Sequence, residues 1–156
     1  MSELLQAIYR GDQARADELL AADPELDVFE AAAVGRTERL CDLLDKDPAL
    51  ANAWADDGFQ PLGLASFFGH VDAARVLVEH GAEVNSASRN DFTVMPLHSA
   101  AATGDPEVRY ELAKLLLEHG ADPNARQQDD FTPLMAADQH EDERLHLLLV
   151  EHGANG

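Results

Sequence analysis

One spacing constrains this chain more than anything else. Pro61 and Gly81 are separated by the same number of residues as Pro133 and Gly153. Each interval opens on an apolar run and closes on a leucine- or valine-rich one. Pro61 suits the first position of a helix, where its missing N–H and fixed φ cost nothing. Leu62, Leu64 and Ala65 follow as an apolar stripe, and Gly69 ends the helix after barely two turns. A second helix is predicted from about Val71 to His80, closed by Gly81, which takes the left-handed conformation past a helix end. Helices this short are not stable alone, and one such pair cannot bury its own apolar faces. The unit needs copies of itself as neighbours.

The copies are present. Pro96-Leu97-His98-Ser99-Ala100-Ala101 repeats the first helix, and Leu115-Leu116-Leu117-Glu118-His119-Gly120-Ala121-Asp122-Pro123-Asn124-Ala125 repeats the second helix and its exit. A third copy reads Asp130-Phe131-Thr132-Pro133-Leu134-Met135-Ala136-Ala137, then Leu147-Leu148-Leu149-Val150-Glu151-His152-Gly153-Ala154-Asn155. These phrases resemble the ankyrin repeat, whose signature runs Gly-x-Thr-Pro-Leu-His-x-Ala-Ala and later Leu-Leu-x-x-Gly-Ala-Asp-x-Asn-Ala. The resemblance implies an all-α solenoid of stacked helix-turn-helix pairs with projecting hairpin loops, or fingers. The whole chain, 1–156, is then a single domain with approximate repeats 2–26, 27–56, 57–89, 90–127 and 128–156. The first two repeats share Leu-Leu-x-x-Asp-Pro-x-Leu, at 19–26 and 43–50, and are shorter than the usual period of about 33 residues. Their Asp-Pro phrases resemble small bacterial members of the family more than animal ones.

Two departures fall in the fourth repeat. Val94 and Met95 separate Thr93 from Pro96, where the family pattern has Thr-Pro adjacent. Extra residues also lie between Gly104 and Gly120, and the expected place for them is the turn beginning Asp105-Pro106-Glu107.

Charge bounds the function. Thirty acidic residues stand against eleven basic ones, a formal net charge of −19. This balance opposes binding to nucleic acid and to anionic membranes, both of which need clustered Lys and Arg. It attracts a partner that is locally basic. Solubility alone also accounts for an acidic surface. No apolar run approaches the roughly 20 residues that span a bilayer, and the start Met1-Ser2-Glu3-Leu4-Leu5 lacks the basic and apolar regions of a secretory signal. The single cysteine, Cys41, forbids an internal disulfide. A cytoplasmic protein is the resulting expectation.

Seven histidines and thirty carboxylates offer candidates for metal binding or acid–base chemistry. His80, His119 and His152 stand one per repeat in Glu-His-Gly-Ala phrases. Helices pack about 8–10 Å apart, too far for successive histidines to share an ion held at about 2 Å. A place near a helix C-terminus, favoured by the helix dipole, is the expected role. His98 falls at the histidine of the repeat signature and is expected to steady the turn. Asp138, His140, Glu141 and Asp142 form the one dense ligand-like cluster, yet they lack the glycine and alternating oxygens of a calcium loop, and a solvated helix face is the reading. No phosphate-cradling glycine loop or nucleophile elbow is found. The expectation is a protein that is not an enzyme, with no cofactor and no metal.

What remains is binding. The family resemblance implies a protein–protein interaction module, an adaptor or regulator, using finger tips and first-helix faces. Phe67 and Phe68 fall where the family carries exposed polar residues, and Trp54 sits on a finger. Phe59, Phe92 and Phe131 recur at finger bases, where packing between fingers and partner binding are both open. Arg89, Arg126 and Gln127 occupy fingers and complete the candidate surface. Exposed aromatics are the residues that dominate interface energy. Two other readings are an acidic inhibitor mimicking nucleic acid, and an accessory subunit stacking on another chain through its C-terminal repeat. In that repeat the apolar residues exceed one helix stripe, so Leu147 is expected to meet solvent or a partner. A monomer is expected, with self-association through the same repeat as the alternative.

Overall fold

Short helices with well-chosen ends pair in chain order in the computed structural model, which describes residues 1–155; Gly156, the last residue of the predicted fifth repeat, lies outside them. Among the described residues ten α-helices form five pairs and no strand is found. The pairs are α1 (Glu3–Arg10) with α2 (Gln13–Ala21), α3 (Val28–Val34) with α4 (Thr37–Lys46), and α5 (Pro61–Phe67) with α6 (Val71–Glu79). The last two are α7 (Pro96–Ala101) with α8 (Pro106–Glu118), and α9 (Pro133–Gln139) with α10 (Glu143–Glu151). The first helices pack side by side in one row, α1 to α9, and α4, α6, α8 and α10 form a second row. The result is the all-α stacked solenoid that the repeated phrases imply. α2 is the exception in the second row: it packs on α1, and an open gap of about 560 Å³ lies between its C-terminal end and the start of α4.

Leucine and alanine divide the interior between them. Leu40, Leu44, Leu62, Leu64, Leu77, Leu97, Leu112, Leu116, Leu145 and Leu149 are fully buried. Each such side chain contributes about 1.5–3 kcal/mol relative to exposure. Ala32, Ala65, Ala100, Ala101 and Ala137, also fully buried, let the first-row helices approach closely.

Polar groups set the pitch of the stack. Asn52 Nδ2 donates to Gly81 O at 3.0 Å, and its Oδ1 accepts from Glu83 N at 2.9 Å. Asn85 makes the same two bonds with Gly120 O and Asp122 N (2.9 and 2.8 Å), and Asn124 with Gly153 O and Asn155 N (both 3.0 Å). Each asparagine thus satisfies the open helix end of the following repeat. His70 Nε2 donates to Ala33 O at 2.9 Å, joining the third repeat back to the second. The site admits only glycine at position 35: φ there is +77°, and a Cβ would sit 2.6 Å from His70 Nδ1. The histidines of the Glu-His-Gly phrases follow the helices as expected. His80, His119 and His152 each donate from Nδ1 to the carbonyl four residues back, at 2.7, 2.8 and 2.9 Å.

Two expectations about the fourth and fifth repeats are corrected. The extra residues of the fourth repeat do not enlarge a turn. α8 has 13 residues where α6 and α10 have 9, and Pro106 is its first residue. The insertion is one added helical turn. It supplies Arg109, whose buried guanidinium donates to Thr103 O (2.9 Å) and to Asp142 Oδ2 (2.6 Å). Asp142 therefore belongs to no solvated face: its side chain is 10% exposed, and its other oxygen caps α10 by accepting from Leu145 N at 3.0 Å. Burial pushes this carboxyl up, but the Leu145 N–H and the Arg109 guanidinium outweigh it and hold its pKa below the usual range. Outside the pair, Arg144 stacks over Tyr110 at 3.7 Å and bonds Glu107 at 2.8 Å. The added turn clasps the α9–α10 pair to the pair before it.

Removing one member of a buried pair leaves the other charge without compensation, at a cost of about 3–5 kcal/mol. Asp142→Ala is expected to lower unfolding free energy in urea by that amount and to speed amide exchange first in α9 and α10. The double variant Arg109→Met, Asp142→Leu is expected to lose less than Asp142→Ala alone. A stability change below about 1 kcal/mol on Asp142→Ala would show that the clasp is not what holds the end of the stack.

Candidate docking groove

The groove is built from departures at three places in the repeat pattern. The first is the end of α5. Phe67 is 54% exposed, while Phe68, the next residue, turns inward and packs against the core. The two rings meet edge to face with centroids 4.9 Å apart. Phe68 is thus a support for Phe67 and not the exposed contact expected from the sequence: two adjacent helical residues point about 100° apart, so one can be out and the other in.

The second departure is Tyr9 of α1, which sequence reasoning passed over. Its ring lies 5.5 Å from that of Phe68, and its hydroxyl donates to Asp57 Oδ2 at 2.8 Å. α3, which carries the buried Ala31, Ala32 and Ala33, lies between α1 and α5 in the row. Burial first, then the bond to the Asp57 carboxylate, raises the phenol pKa well above its ordinary value, so Tyr9 stays a donor.

The third is the finger of the fourth repeat. Phe59 O accepts from Ala55 N (2.8 Å) and Phe131 O from Gln127 N (3.0 Å), but the corresponding acceptor in the fourth repeat is Val94 O, bonded to Ser88 N (2.8 Å). Val94, not Phe92, is the counterpart of Phe59 and Phe131, which are half-buried and packed on the core. Phe92 and Thr93 are an insertion that pushes Phe92 outward to 60% exposure. The three phenylalanines are therefore not equivalent. Thr93 turns the chain with φ +49°, unusual for a β-branched residue.

Tyr9, Phe59, Phe67 and Phe92 converge, with Leu64 and Val94, on one open groove of about 400 Å³. Ser99 of α7 and Ala102 just past its end form part of its wall, and Gln127 closes it from the next finger. The fingers are fixed to one another: Arg89 N donates to Gly58 O at 2.8 Å and Gln128 N to Phe92 O at 3.2 Å. Gly58 is required here, since a Cβ would lie 2.5 Å from Arg89 O and φ is +88°. His98 also lines the groove, but both its nitrogens are engaged, Nδ1 accepting from Met95 N (3.3 Å) and Nε2 donating to Ala125 O (3.0 Å). Burial lowers its pKa, against the raising effect of the Ala125 carbonyl, so it is neutral at pH 7.

The remaining candidates lie elsewhere. Trp54 is half-buried, with the Arg89 guanidinium 3.8 Å from its ring centroid, and it borders a separate hollow with Leu5 and Phe29. Arg126 is exposed beside Asp130, 3.7 Å away. The structure brings together Phe59, Phe67, Phe92 and Gln127. It sets Trp54, Phe68, Arg89, Arg126 and Phe131 outside that lining. Among the described residues no group of three or more His, Cys, Asp or Glu is placed to hold a metal ion, and no helix is long and apolar enough to cross a membrane.

Comparison with known proteins agrees with the architecture. A family profile described as "Ankyrin repeats (3 copies)" matches residues 4–127 and 86–156. A 51-residue segment is 45% identical to part of Ankyrin repeat domain-containing protein 13B of Mus musculus, and equally to that of Homo sapiens. The match takes in 33% of this chain and 8% of those proteins, so the chain spans only a small part of the relatives it matches.

The buried histidines generate a pH dependence. His70 and His98 both have pKa values lowered by burial from the ordinary 6.5. Their contribution to stability is complete above that value and is lost as pH falls through the lower folded-state pKa. His80, raised by its bonds to the Val76 carbonyl and Asp45, acts in the opposite sense: its contribution is present at low pH and lost as pH rises. The melting temperature is expected to fall between about pH 7 and pH 5, and to fall less in His98→Gln. An identical fall in that variant would mean that His98 carries none of the effect.

Proposed function

This chain belongs to the ankyrin repeat family, and from that premise we propose that it is an adaptor or regulator that docks a locally basic protein segment in the groove between α5, α7 and their fingers. Ankyrin repeats are in general protein–protein interaction modules. The observation that carries the specific reading is the convergence of Phe67 and Phe92, both more than half exposed, with Tyr9 and Phe59 on one groove. Exposed rings carry a solvation cost without a folding return. Burying one in a partner contributes about 1.5–3 kcal/mol, and central aromatics often cost 2 kcal/mol or more on truncation.

The net charge of −19 supports a basic partner. The fingers that carry Phe92 and Gln127 supply Asp91, Asp129 and Asp130, all exposed. Exposed charges are screened beyond about 8–10 Å in ordinary salt, so their part is to speed encounter more than to hold the complex. Nothing in this reading requires catalysis, a cofactor or a metal.

A random peptide library panned on the protein tests this. Selected peptides are expected to carry Lys or Arg, and to bind at least about tenfold more weakly to Phe67→Ala and Phe92→Ala with unchanged melting temperature. Salt is expected to slow their association and leave dissociation nearly alone. Binders indifferent to both substitutions would place the function on another face.

A second reading has its own observation. Met135, Leu147 and Val150 of the last pair are 43, 53 and 46% exposed. Leu147 stands where α6 and α8, counted from their ends, have Arg75 and Lys114. Stacking of another chain there would cover these side chains. Light scattering is expected to give a dimeric mass that Leu147→Lys returns to monomer if the partner is a second copy; a monomeric mass for both removes self-association.

A further inference from the structure

We propose that the groove is a cage for an N-methylated lysine side chain of the partner protein. The proposal rests on the docking function above and names its anchor. Four rings from four separate segments line the groove: Tyr9 of α1, Phe59 of one finger, Phe67 of α5 and Phe92 of the inserted pair. Aromatic faces attract cations, and a ring enclosure is the usual receptor for a quaternary ammonium. Rings of this chain already hold cations within it, Arg89 over Trp54 at 3.8 Å and Arg144 over Tyr110 at 3.7 Å.

The electrostatics select a cation over a plain apolar anchor. Among the described residues lining the groove, none carries a positive charge: His98 has both nitrogens bonded and its protonation suppressed by burial. The Tyr9 hydroxyl donates to the Asp57 carboxylate at 2.8 Å, which sets a negative charge beside one of the four lining residues. The fingers that carry Phe92 and Gln127 also carry exposed Asp91, Asp129 and Asp130, while their two arginines are engaged, Arg89 over Trp54 and Arg126 beside Asp130, on a chain of net charge −19.

The lining also selects methylation. A free ammonium brings three N–H donors that each need an acceptor once water is removed. No carboxylate side chain lines the groove, where Ser99, Gln127 and the engaged His98 and Tyr9 are the polar side chains. Unmatched donors carry a desolvation cost. Methyl groups replace those donors with surface that rings and Leu64 can cover, and the positive charge remains.

The test uses the full chain and three acetylated, amidated peptides, Gly-Gly-X-Gly-Gly. X is trimethyllysine, lysine, or the neutral carbon analogue of trimethyllysine, which has the same shape without the charge. Ring resonances of Tyr9, Phe67 and Phe92 are followed by NMR during titration. Trimethyllysine is expected to bind at least about fivefold more tightly than either other peptide, with the preference lost in Phe67→Ala and in Phe92→Ala. Equal binding of the carbon analogue would overturn the cage and leave an apolar docking groove, so the docking function would survive. Equal or tighter binding of unmodified lysine would overturn the selection for methylation. Failure of all three to shift these rings would overturn the cage outright, while the panned peptides report separately on docking.

Discussion

Everything in this molecule depends on the inability of a helix pair of this size to satisfy itself. A first helix of six to eight residues makes few internal hydrogen bonds and presents apolar surface on more than one side. The neighbouring repeat supplies both missing items. Leucines fill the space between rows, and Asn52, Asn85 and Asn124 close the exposed helix ends one repeat further on. These bonds are directional, so they fix the pitch of the stack more tightly than leucine contacts alone would. Finger positions inherit that precision, and so does any surface made of finger bases and first helices.

Much of this architecture was legible because the punctuation is chemical. Proline at the first helical position and glycine past the last one have local causes, and they locate helices without knowledge of the fold. Count-based reasoning failed where it had to say where extra residues go. The spacing from Gly104 to Gly120 reveals an insertion but does not say whether it widens a turn or lengthens a helix. Pro106 held the signal: it was read as a turn residue, yet two residues past Gly104 it occupies the place of Val71, where α6 begins. Likewise, Phe92 was aligned by its phrase with Phe59 and Phe131. Counting back from Pro96 gives Val94 instead, the register that the finger hydrogen bonds adopt.

Tyr9 and Arg109 were illegible for a different reason. Their roles are set by partners distant in sequence, Asp57 and Asp142. Nothing near Tyr9 in the sequence marks it as functional; its neighbour Phe68 comes from another helix pair. Asp142 looked like a member of an exposed acidic cluster because its neighbours Glu141 and Glu143 are exposed. Its burial depends on the turn that α8 gained.

The departures from the repeat pattern carry information in their placement. Phe67 keeps a large ring in water, and Thr93 holds a left-handed conformation that costs a β-branched residue about 1–3 kcal/mol. Other departures lie elsewhere, with positive φ at Asp23, Asp129, Asp130 and Glu141 and exposed Leu147 and Val150 on the last pair. At the groove, the strained turn projects Phe92 and the end of α5 presents Phe67, and both rings line it together with Tyr9. Strain and exposure that meet at a single place are accounted for together by a guest at that place, whereas folding alone would require a separate reason for each.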